Sequence, residues 1–262
     1  LRGILSSHGT DQDFPSRVCI CTMEFIRGIE VADGVYRFGT RRINWYIVEE
    51  DDTLTVVDAG LPGHWNLLVE GVEALGHTVS DIAAILITHG DLDHLGFAEW
   101  LRVAADAPVW IHPADVQRAN TVSRSLPPLD FLKALWKPPV FSYFVEVVRS
   151  GVGSVPQLTA FETFEDGDEF DVPGHPMVIH VPGHTAGSSA FYLPDRDVLF
   201  CGDALMTYNV RTGRHTEPAV LAPIHYDAEK ARSSIRKLDF CGEVVLLSGH
   251  GEPWEGDIRH VV

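Results

Sequence analysis

Four histidine and aspartate side chains crowd the stretch ILITHGDLDHLG, which spans residues 85–96. They are His89, Asp91, Asp93 and His94. Imidazole and carboxylate groups can bind metal ions and can also transfer protons. Mixing the two ligand types favours zinc, iron or manganese, whereas an all-carboxylate cluster suits magnesium or calcium and an all-thiolate cluster suits structural zinc. The stretch therefore predicts part of a metal site.

Four other segments end an apolar strand with a histidine or an aspartate among small residues. They are LTVVDAG with Asp58, MVIHVPGHTAGS with His184, DVLFCGDAL with Asp203 and EVVLLSGHGEP with His250. Strand ends that share one rim of a sheet bring such residues into a common cleft. A lone histidine or aspartate after a strand is more often an ordinary loop or turn residue, but that explanation would have to hold separately at every strand end. We therefore predict one cleft that gathers all of them.

The loop at residues 89–94 can serve two metal ions. Successive residues of an extended loop point to opposite sides. His89 and Asp91 would then face one ion, while Asp93 and His94 face a second. The loop would supply half the ligands of a two-metal site.

The elements that must position these residues begin with strands. The runs GVYRFG, INWYIVEE and TLTVVDAG predict a meander, and the apolar run IAAILITH predicts a strand buried on both faces. HWNLLVEGVEALG has apolar residues at helical spacing. The residues on that helical face are Trp65, Leu68, Val69, Val72 and Leu75.

Further along the chain, helical and strand patterns alternate. Helices are predicted at 94–106, 113–120 and 227–238, the last with Asp227 as N-cap. Strands are predicted at PVWIH and around residues 158–164, 169–172, 177–181, 188–193, 197–201 and 243–247. This order predicts a layered α/β fold in which helices cover sheets.

Residues 121–150 are apolar and aromatic, and proline pairs at 127–128 and 138–139 interrupt them. We interpret them as two helices. These helices either cover the core or form a lid, a substrate wall or a homodimer surface, since exposed apolar patches seek partners.

Composition excludes several classes of protein. The net charge of −17, with no basic run beyond Arg41 and Arg42, argues against nucleic acid as a partner. No apolar run approaches the roughly 18–20 residues of a membrane span, and residues 1–24 lack the apolar core of a secretory signal. We therefore expect a cytoplasmic protein without a membrane partner.

Residues 1–22 are interpreted as an N-terminal extension, either peripheral or added to the natural chain, because Met23 opens a segment that reads like a natural start. Residues 23–262 are predicted to form a single domain with a helical insertion at about residues 121–150. The cysteines do not form the pattern of a disulfide framework, and we interpret all of them as free thiols. They are Cys19, Cys21, Cys201 and Cys241.

The motifs THGDLDHLG, VPGHTAGS, FCGDA and SGHGEP, preceded by VVDAG, resemble those of the metallo-β-lactamase-fold hydrolases in type and order. The resemblance spans about residues 27–254 and implies a four-layered αβ/βα sandwich of two mixed sheets with helices outside. It also implies a ligand set. His89, Asp91 and His184 would form the first site, Asp93, His94 and His250 would form the second, Asp203 would bridge the metals, and Asp58 would orient a ligand.

Position 91 departs from the family pattern, which usually has histidine there. Two divalent ions with the carboxylates of Asp91, Asp93 and Asp203 have a net charge of about +1, against about +2 with histidine at position 91. The lower charge weakens Lewis acidity and favours harder metals such as manganese or iron. An acidic residue at this position is similar to the glutamate of the flavodiiron oxidoreductases.

The resemblance implies hydrolysis of a small-molecule ester, lactone, thioester or β-lactam by a metal-bound hydroxide, with Asp93 carrying the proton to the leaving group. The expected cofactors are two divalent metal ions, with zinc first and manganese or iron as alternatives. The loop 204–226 is expected to line the pocket with Tyr208, His215 or His225. The lactonases of this fold have tyrosine where this chain has Met206, which argues against a quorum-signal lactonase.

Two other classes of function remain open. One is an iron-dependent oxidoreductase of the same fold, either a persulfide dioxygenase or a diiron protein, which metal content and dioxygen consumption would identify. The other is a binding or regulatory protein with a degraded site, which the aspartate at position 91 suggests and the remaining ligands argue against.

Overall fold

A seven-stranded sheet forms the first half of the fold in the computed structural model, which describes residues 24–121, 129–221 and 225–262. Its strands follow chain order, and β1 to β4 pair antiparallel while β4 to β7 pair parallel. The strands are β1 (Phe25–Ala32), β2 (Val35–Thr40), β3 (Asn44–Glu50), β4 (Thr53–Val57), β5 (Ile82–Ile87), β6 (Val109–Ile111) and β7 (Glu162–Thr163).

A five-stranded sheet forms the second half, in the order β14-β13-β10-β9-β8. Strands β10 and β13 pair parallel, and the other neighbours pair antiparallel. A separate hairpin joins β11 to β12. These strands are β8 (Met177–His180), β9 (Ser189–Leu193), β10 (Val198–Gly202), β11 (Met206–Asn209), β12 (Arg214–Ala219), β13 (Glu243–Ser248) and β14 (Trp254–Asp257).

Helices cover the outer faces of both sheets. The α-helices are α1 (Trp65–Ala74), α2 (Leu92–Leu95), α3 (Ala98–Ala105), α4 (Val116–Thr121), α5 (Leu129–Ala134), α6 (Pro138–Arg149) and α7 (Ala228–Ser234). Helices α1 and α3 pack on the first sheet, and the 3₁₀ segment Ile235–Cys241, which follows α7, packs on the second. The result is the four-layered αβ/βα sandwich that the resemblance implies.

The side chains of β3 point alternately into two different parts of the hydrophobic core. Trp45 and Ile47 join the core beneath α1 and α3, whereas Tyr46 and Val48 join the core between the sheets. Successive side chains of a strand point to opposite faces, so a strand buried on both faces must be apolar throughout. The run IAAILITH in β5 follows the same rule, as predicted.

Most predicted elements are present, with shifted boundaries. The helix predicted at 94–106 is divided into α2 and α3, and the one predicted at 227–238 is α7 followed by the 3₁₀ segment. Asp227 caps α7 by accepting a hydrogen bond from the Lys230 backbone N–H at 2.9 Å. The prediction of a strand at 169–172 was wrong, because this stretch contributes only an isolated bridge from Glu169 to Met177.

The helical insertion contains α5 and α6, although residues 122–128 lie outside the described part of the chain. Pro138 and Pro139 occupy the first turn of α6, where a missing N–H loses no intrahelical bond. Cys201 and Cys241 are buried free thiols, while Cys19 and Cys21 lie outside the described residues. Among the described residues, no helix has the length and apolar character needed to cross a membrane.

Candidate metal centre

The predicted ligands lie together at one rim of the two sheets. His89 and Asp91 follow β5, Asp93 and His94 lie on α2, His184 lies between β8 and β9, Asp203 follows β10, and His250 follows β13. The sequence analysis assumed that residues 89–94 form one extended loop, but the structure differs. A short helix begins at Leu92 instead, and it places the His94 ring against that of His89, with centroids 4.0 Å apart, while Asp93 lies beside His250.

One group of donor atoms contains His89, Asp91 and His184, whose ligand atoms lie within 4.8 Å of one another. Asp91 Oδ2 lies 3.2 Å from Nε2 of His184 and 3.6 Å from Nε2 of His89. This is the set that the resemblance assigned to the first site. Its role as a ligand set stays a prediction.

A second group contains Asp93, His94 and His250. Nε2 of His250 lies 3.5 Å from Asp93 Oδ2. Asp203 lies between the two groups: its Oδ2 is 3.1 Å from Nε2 of His250 and 3.5 Å from Nε2 of His184. Its other oxygen, Oδ1, is 3.4 Å from Nε2 of His94. A carboxylate in this position can bridge two ions.

Buried polar atoms without hydrogen-bond partners show that the cluster fits metal ions. They include Nε2 of His89, Nε2 of His94 and Oδ1 of Asp203, all of which face other members of the cluster. A buried polar atom left unpaired is costly, and a divalent ion would give each of these atoms a partner. Mixed imidazole and carboxylate donors are also the set that zinc, manganese and iron accept.

Hydrogen bonds on the outer nitrogens turn the imidazoles inward. Asp58 binds Nδ1 of His94 at 2.8 Å and also accepts the Thr88 hydroxyl hydrogen. Because that hydroxyl hydrogen is used, Thr88 Oγ1 must accept from Nδ1 of His89, which lies 3.0 Å away. Nδ1 of His250 donates to the Arg42 carbonyl oxygen. Asp58 thus orients a predicted ligand, as the resemblance implied.

Two glycines permit the close approach of the loops. A Cβ at Gly249 would lie 2.4 Å from Oδ1 of Asp203 and 2.5 Å from Cε1 of His94. Gly202 has a φ of +49°, and a Cβ there would lie 2.5 Å from Thr88 Oγ1. Any larger residue at these positions would push the cluster apart.

The charges of the cluster influence one another strongly. Burial raises the pKa of Asp203, but the nearby charges of His250 and His94 outweigh it and hold that pKa well below its usual range. Burial lowers the pKa of His250, but the Asp203 carboxylate outweighs it and raises the pKa to about 9. The pKa of His89 is lowered by burial and then by the charge of His94. The carboxylates therefore favour positive charge at the centre, which metal ions would supply.

Three further residues at the site were missed by the sequence analysis. Arg118 on α4 donates from Nε to Asp91 Oδ1 at 2.5 Å, and Tyr143 on α6 donates from its hydroxyl to Asp93 Oδ2 at 2.9 Å. Buried Asp115 accepts hydrogen bonds from both loops of the first group. No local signal marks these residues, because each reaches the cluster from an element distant in sequence.

The pocket residues suggested for the loop 204–226 have different positions. Tyr208 and His215 face each other across the β11–β12 hairpin, with ring centroids 5.3 Å apart. His225 lies against His184 with centroids 5.2 Å apart. Residues 222–224 of this loop lie outside the described part of the chain. Of these candidates, His225 alone has a described ring contact with a member of the cluster.

Comparisons with known proteins identify the family. A family model described as the metallo-beta-lactamase superfamily matches residues 38–250. The probable metallo-hydrolase YflN of Bacillus subtilis (strain 168) is 30% identical over 250 residues, which cover 87% of this chain and 88% of that protein. The hydroxyacylglutathione hydrolase GloC of Haemophilus influenzae is 25% identical over 207 residues, covering 78% and 83% of the two chains.

Solved structures give the same result for the fold. The metallo-beta-lactamase family protein TTHA1429 from Thermus thermophilus superposes with a TM-score of 0.64 at 24% identity. The match covers 88% of this chain and 77% of that one.

Proposed function

Because the chain belongs to the metallo-beta-lactamase superfamily and is a metallo-hydrolase, we propose that it uses two metal ions to hydrolyse a small-molecule ester, lactone, thioester or β-lactam. The observation that carries this proposal is the position of Asp203. Its Oδ2 faces His184 of the first group at 3.5 Å and His250 of the second group at 3.1 Å, and its Oδ1 faces His94 of the second group at 3.4 Å, which suits a bridge between two ions.

His89, Asp91 and His184 would hold the first ion, and Asp93, His94 and His250 would hold the second, with Asp203 shared. We propose zinc for both positions, with manganese or iron as alternatives. When bound, the ions supply an activated water molecule and polarise the carbonyl oxygen of the substrate.

Residues of the chain position the reacting groups and transfer the proton of the attacking water. Asp93 lies at the edge of the second group, and the Tyr143 hydroxyl holds its Oδ2 at 2.9 Å. In this position Asp93 would take the proton released by the attacking water and transfer it to the leaving group. The hydrogen bonds on the outer nitrogens of His89, His94 and His250 keep the inner ring nitrogens of these three histidines available as ligands.

Helix α6 would form one wall of the substrate cleft. Tyr143 places its ring 6.1 Å from that of His250. Glu146, one turn later, pairs with Arg42 at 3.0 Å and accepts from the Thr40 hydroxyl at 2.6 Å. These contacts fix α6 to the β2–β3 turn, whose Arg42 carbonyl also holds His250.

The choice of substrate class is supported by charge and by relatives. A protein with a net charge of −17 disfavours polyanions such as nucleic acid. GloC is named a hydroxyacylglutathione hydrolase, and a thioester therefore leads the panel of substrates to be tested.

The experiment begins with protein stripped by a chelator and reloaded separately with zinc, manganese or iron. Each form is tested with a hydroxyacylglutathione thioester, chromogenic esters, lactones and a chromogenic β-lactam, and its metal content is measured in the same sample. We expect hydrolysis that requires two metal ions per chain. Absence of hydrolysis of every substrate with every metal would reject the proposal.

The alternative is an iron-dependent oxidoreductase, which the carboxylate of Asp91 favours because it is a harder ligand than imidazole. Dioxygen consumption by the iron-loaded protein with a persulfide substrate, without hydrolysis of the panel, would establish it.

We also propose that the segment predicted at 121–150 forms a homodimer surface through its described part, residues 129–150. Trp136 is 78% exposed, Phe141 56% and Val148 51%, and such apolar side chains gain by association. Light scattering would give the molecular mass, and Trp136→Gln with Phe141→Gln is expected to reduce it to that of one chain. A cytoplasmic location stays a prediction.

A further inference from the structure

Arg118 and Asp91 form a charge pair at the edge of the cluster. Nε of Arg118 donates to Asp91 Oδ1 at 2.5 Å, while Asp91 Oδ2 faces the ring nitrogens of His184 and His89 at 3.2 and 3.6 Å. One carboxylate oxygen is therefore occupied by arginine, and the other is turned toward the histidines.

The segment that carries Arg118 is fixed to the loops of the first group. Asp115, three residues earlier and buried, accepts from the Gly90 N–H at 2.8 Å and from the Thr185 hydroxyl at 2.6 Å. It also accepts from the Gly187 N–H at 2.8 Å. These hydrogen bonds hold the start of α4 against the loops of the first group and so keep the Arg118 backbone close to Asp91.

The pair also balances charge. Aspartate at position 91 adds one negative charge to a site where the family pattern has a neutral imidazole, and Arg118 adds one positive charge beside it. An arginine guanidinium remains charged throughout the pH range in which a hydrolase works.

We propose that Asp91 and Arg118 act as one unit, in which Arg118 orients the carboxylate toward the first metal position and cancels its additional negative charge. Arg118 is then a positioning residue, and it acts on the metal through Asp91. This inference rests on the proposed metal centre. It implies that Asp91→His alone does not restore the family's usual site, because the arginine would face the metal ions unpaired.

A double-mutant cycle in metal affinity tests the pair. The four proteins are wild type, Asp91→His, Arg118→Gln and the double variant. Zinc alone is titrated against a chromophoric chelator, and the product of the two zinc dissociation constants is compared, so that no assignment of individual sites is needed.

In the wild-type background, Arg118→Gln removes a positive charge that repels the metal ions, which tightens zinc binding. It also removes the group that orients the Asp91 carboxylate, which weakens zinc binding, so the two effects oppose each other. We expect the product of the constants to change by less than threefold. In the Asp91→His background only the repulsion is removed, so Arg118→Gln is expected to tighten binding by tenfold or more. If Arg118→Gln is more favourable in the Asp91→His background by at least threefold, the unit is supported; a smaller difference, or one of opposite sign, overturns it.

Two controls distinguish the effect of the Arg118 charge from a nonspecific effect of substituting an arginine. Arg118→Lys keeps the charge, so in the Asp91→His background it is expected to leave zinc binding weak. Arg102→Gln removes an arginine that pairs with Glu99 away from the cluster at 2.9 Å, and it is expected to leave zinc binding unchanged. Thermal unfolding of the metal-free proteins would show whether each variant folds.

The readout does not depend on turnover. If the protein shows this coupling but hydrolyses no substrate, the proposed function is rejected and the unit of Asp91 and Arg118 is supported. A metal-dependent hydrolase without the coupling would reject the unit alone.

Discussion

The carboxylate of Asp58 contacts Nδ1 of His94 at 2.8 Å and, through the Thr88 hydroxyl, fixes the tautomer of the neighbouring His89. Asp58 has a φ of 62°, a left-handed backbone conformation that few side chains adopt without compensation. The compensation here is the group of hydrogen bonds that its carboxylate accepts. One buried carboxylate thereby orients two of the proposed metal ligands.

Asp58→Asn is expected to lower metal affinity or activity by about 10–100-fold, because an amide cannot accept hydrogen bonds on both of its polar atoms. Chelator competition and kcat/KM in saturating metal would measure the two effects. The matched control is Asp81→Asn, at an exposed carboxylate that caps a turn by accepting from Thr78. Equal affinity and activity in Asp58→Asn and wild type would contradict the orienting role.

Asp203→Ala is expected to reduce activity by on the order of a hundredfold or more, even in excess metal, because a bridge serves both ions. Elemental analysis would show fewer than two ions per chain. Asp227→Ala removes the side-chain cap of α7 but keeps the backbone N–H that donates to the Gly183 carbonyl oxygen at 2.9 Å, and it is expected to cost about 1 kcal/mol of stability and to keep the metal. Full activity of Asp203→Ala with added metal would reject the two-metal mechanism.

Tyr143→Phe is expected to lower kcat by about tenfold, since it removes one hydrogen bond to a charged group. The ring and its contact with His250 are kept, so the metal content is expected to stay at the wild-type level. Tyr36→Phe is the control, because the Tyr36 hydroxyl donates to Glu49 at 3.0 Å at the end of the strands opposite to the cluster. An unchanged kcat in Tyr143→Phe would show that the tyrosine does not assist Asp93.

The predicted ligands could be found from sequence because each lies shortly after the end of an apolar strand, where the local sequence pattern already indicates the position in the fold. Arg118 and Tyr143 could not, since they lie 27 and 50 residues from their partners and their contacts depend on how helices pack. Asp115 was missed for the same reason.

The sequence analysis missed strands whose alternation of apolar and polar residues is interrupted. Strand β1 contains Gly28 and has two register shifts, one between Arg27 and Ile29 and one between Glu30 and Ala32. In the hairpin, β12 is mostly exposed and polar, and β14 is short and contains Gly256. Such strands form because a neighbouring strand offers hydrogen bonds, and this depends on tertiary structure more than on local propensity.

Residue 91 is expected to set metal preference, because a carboxylate favours manganese or iron more than imidazole does. The double variant Asp91→His with Arg118→Gln, purified from the same medium as wild type, is expected to contain a larger share of zinc. Elemental analysis of both proteins measures the shares. An unchanged share, with unchanged activity, would mean that Asp91 is not a ligand.

His64 is expected to make folding stability depend on pH. This histidine is fully buried, its Nδ1 accepts from the Leu61 N–H at 3.3 Å, and burial lowers its pKa to about 3. The unfolded chain binds a proton near pH 6.5 that the folded chain does not bind until about pH 3. The stability contributed by neutral His64 is therefore complete above pH 6.5 and is lost as the pH falls, by up to about 1.4 kcal/mol per unit.

The variant His64→Asn keeps a hydrogen-bond acceptor near the Nδ1 position but cannot take up a proton. Urea unfolding between pH 4 and pH 6.5 is expected to give a shallower decline in free energy of unfolding for His64→Asn than for wild type, whatever its stability at neutral pH. His175→Asn, at a histidine whose side chain is 57% exposed, serves as the control and is expected to keep the wild-type slope. Parallel slopes in wild type and His64→Asn would show that His64 does not govern the acid sensitivity of the fold.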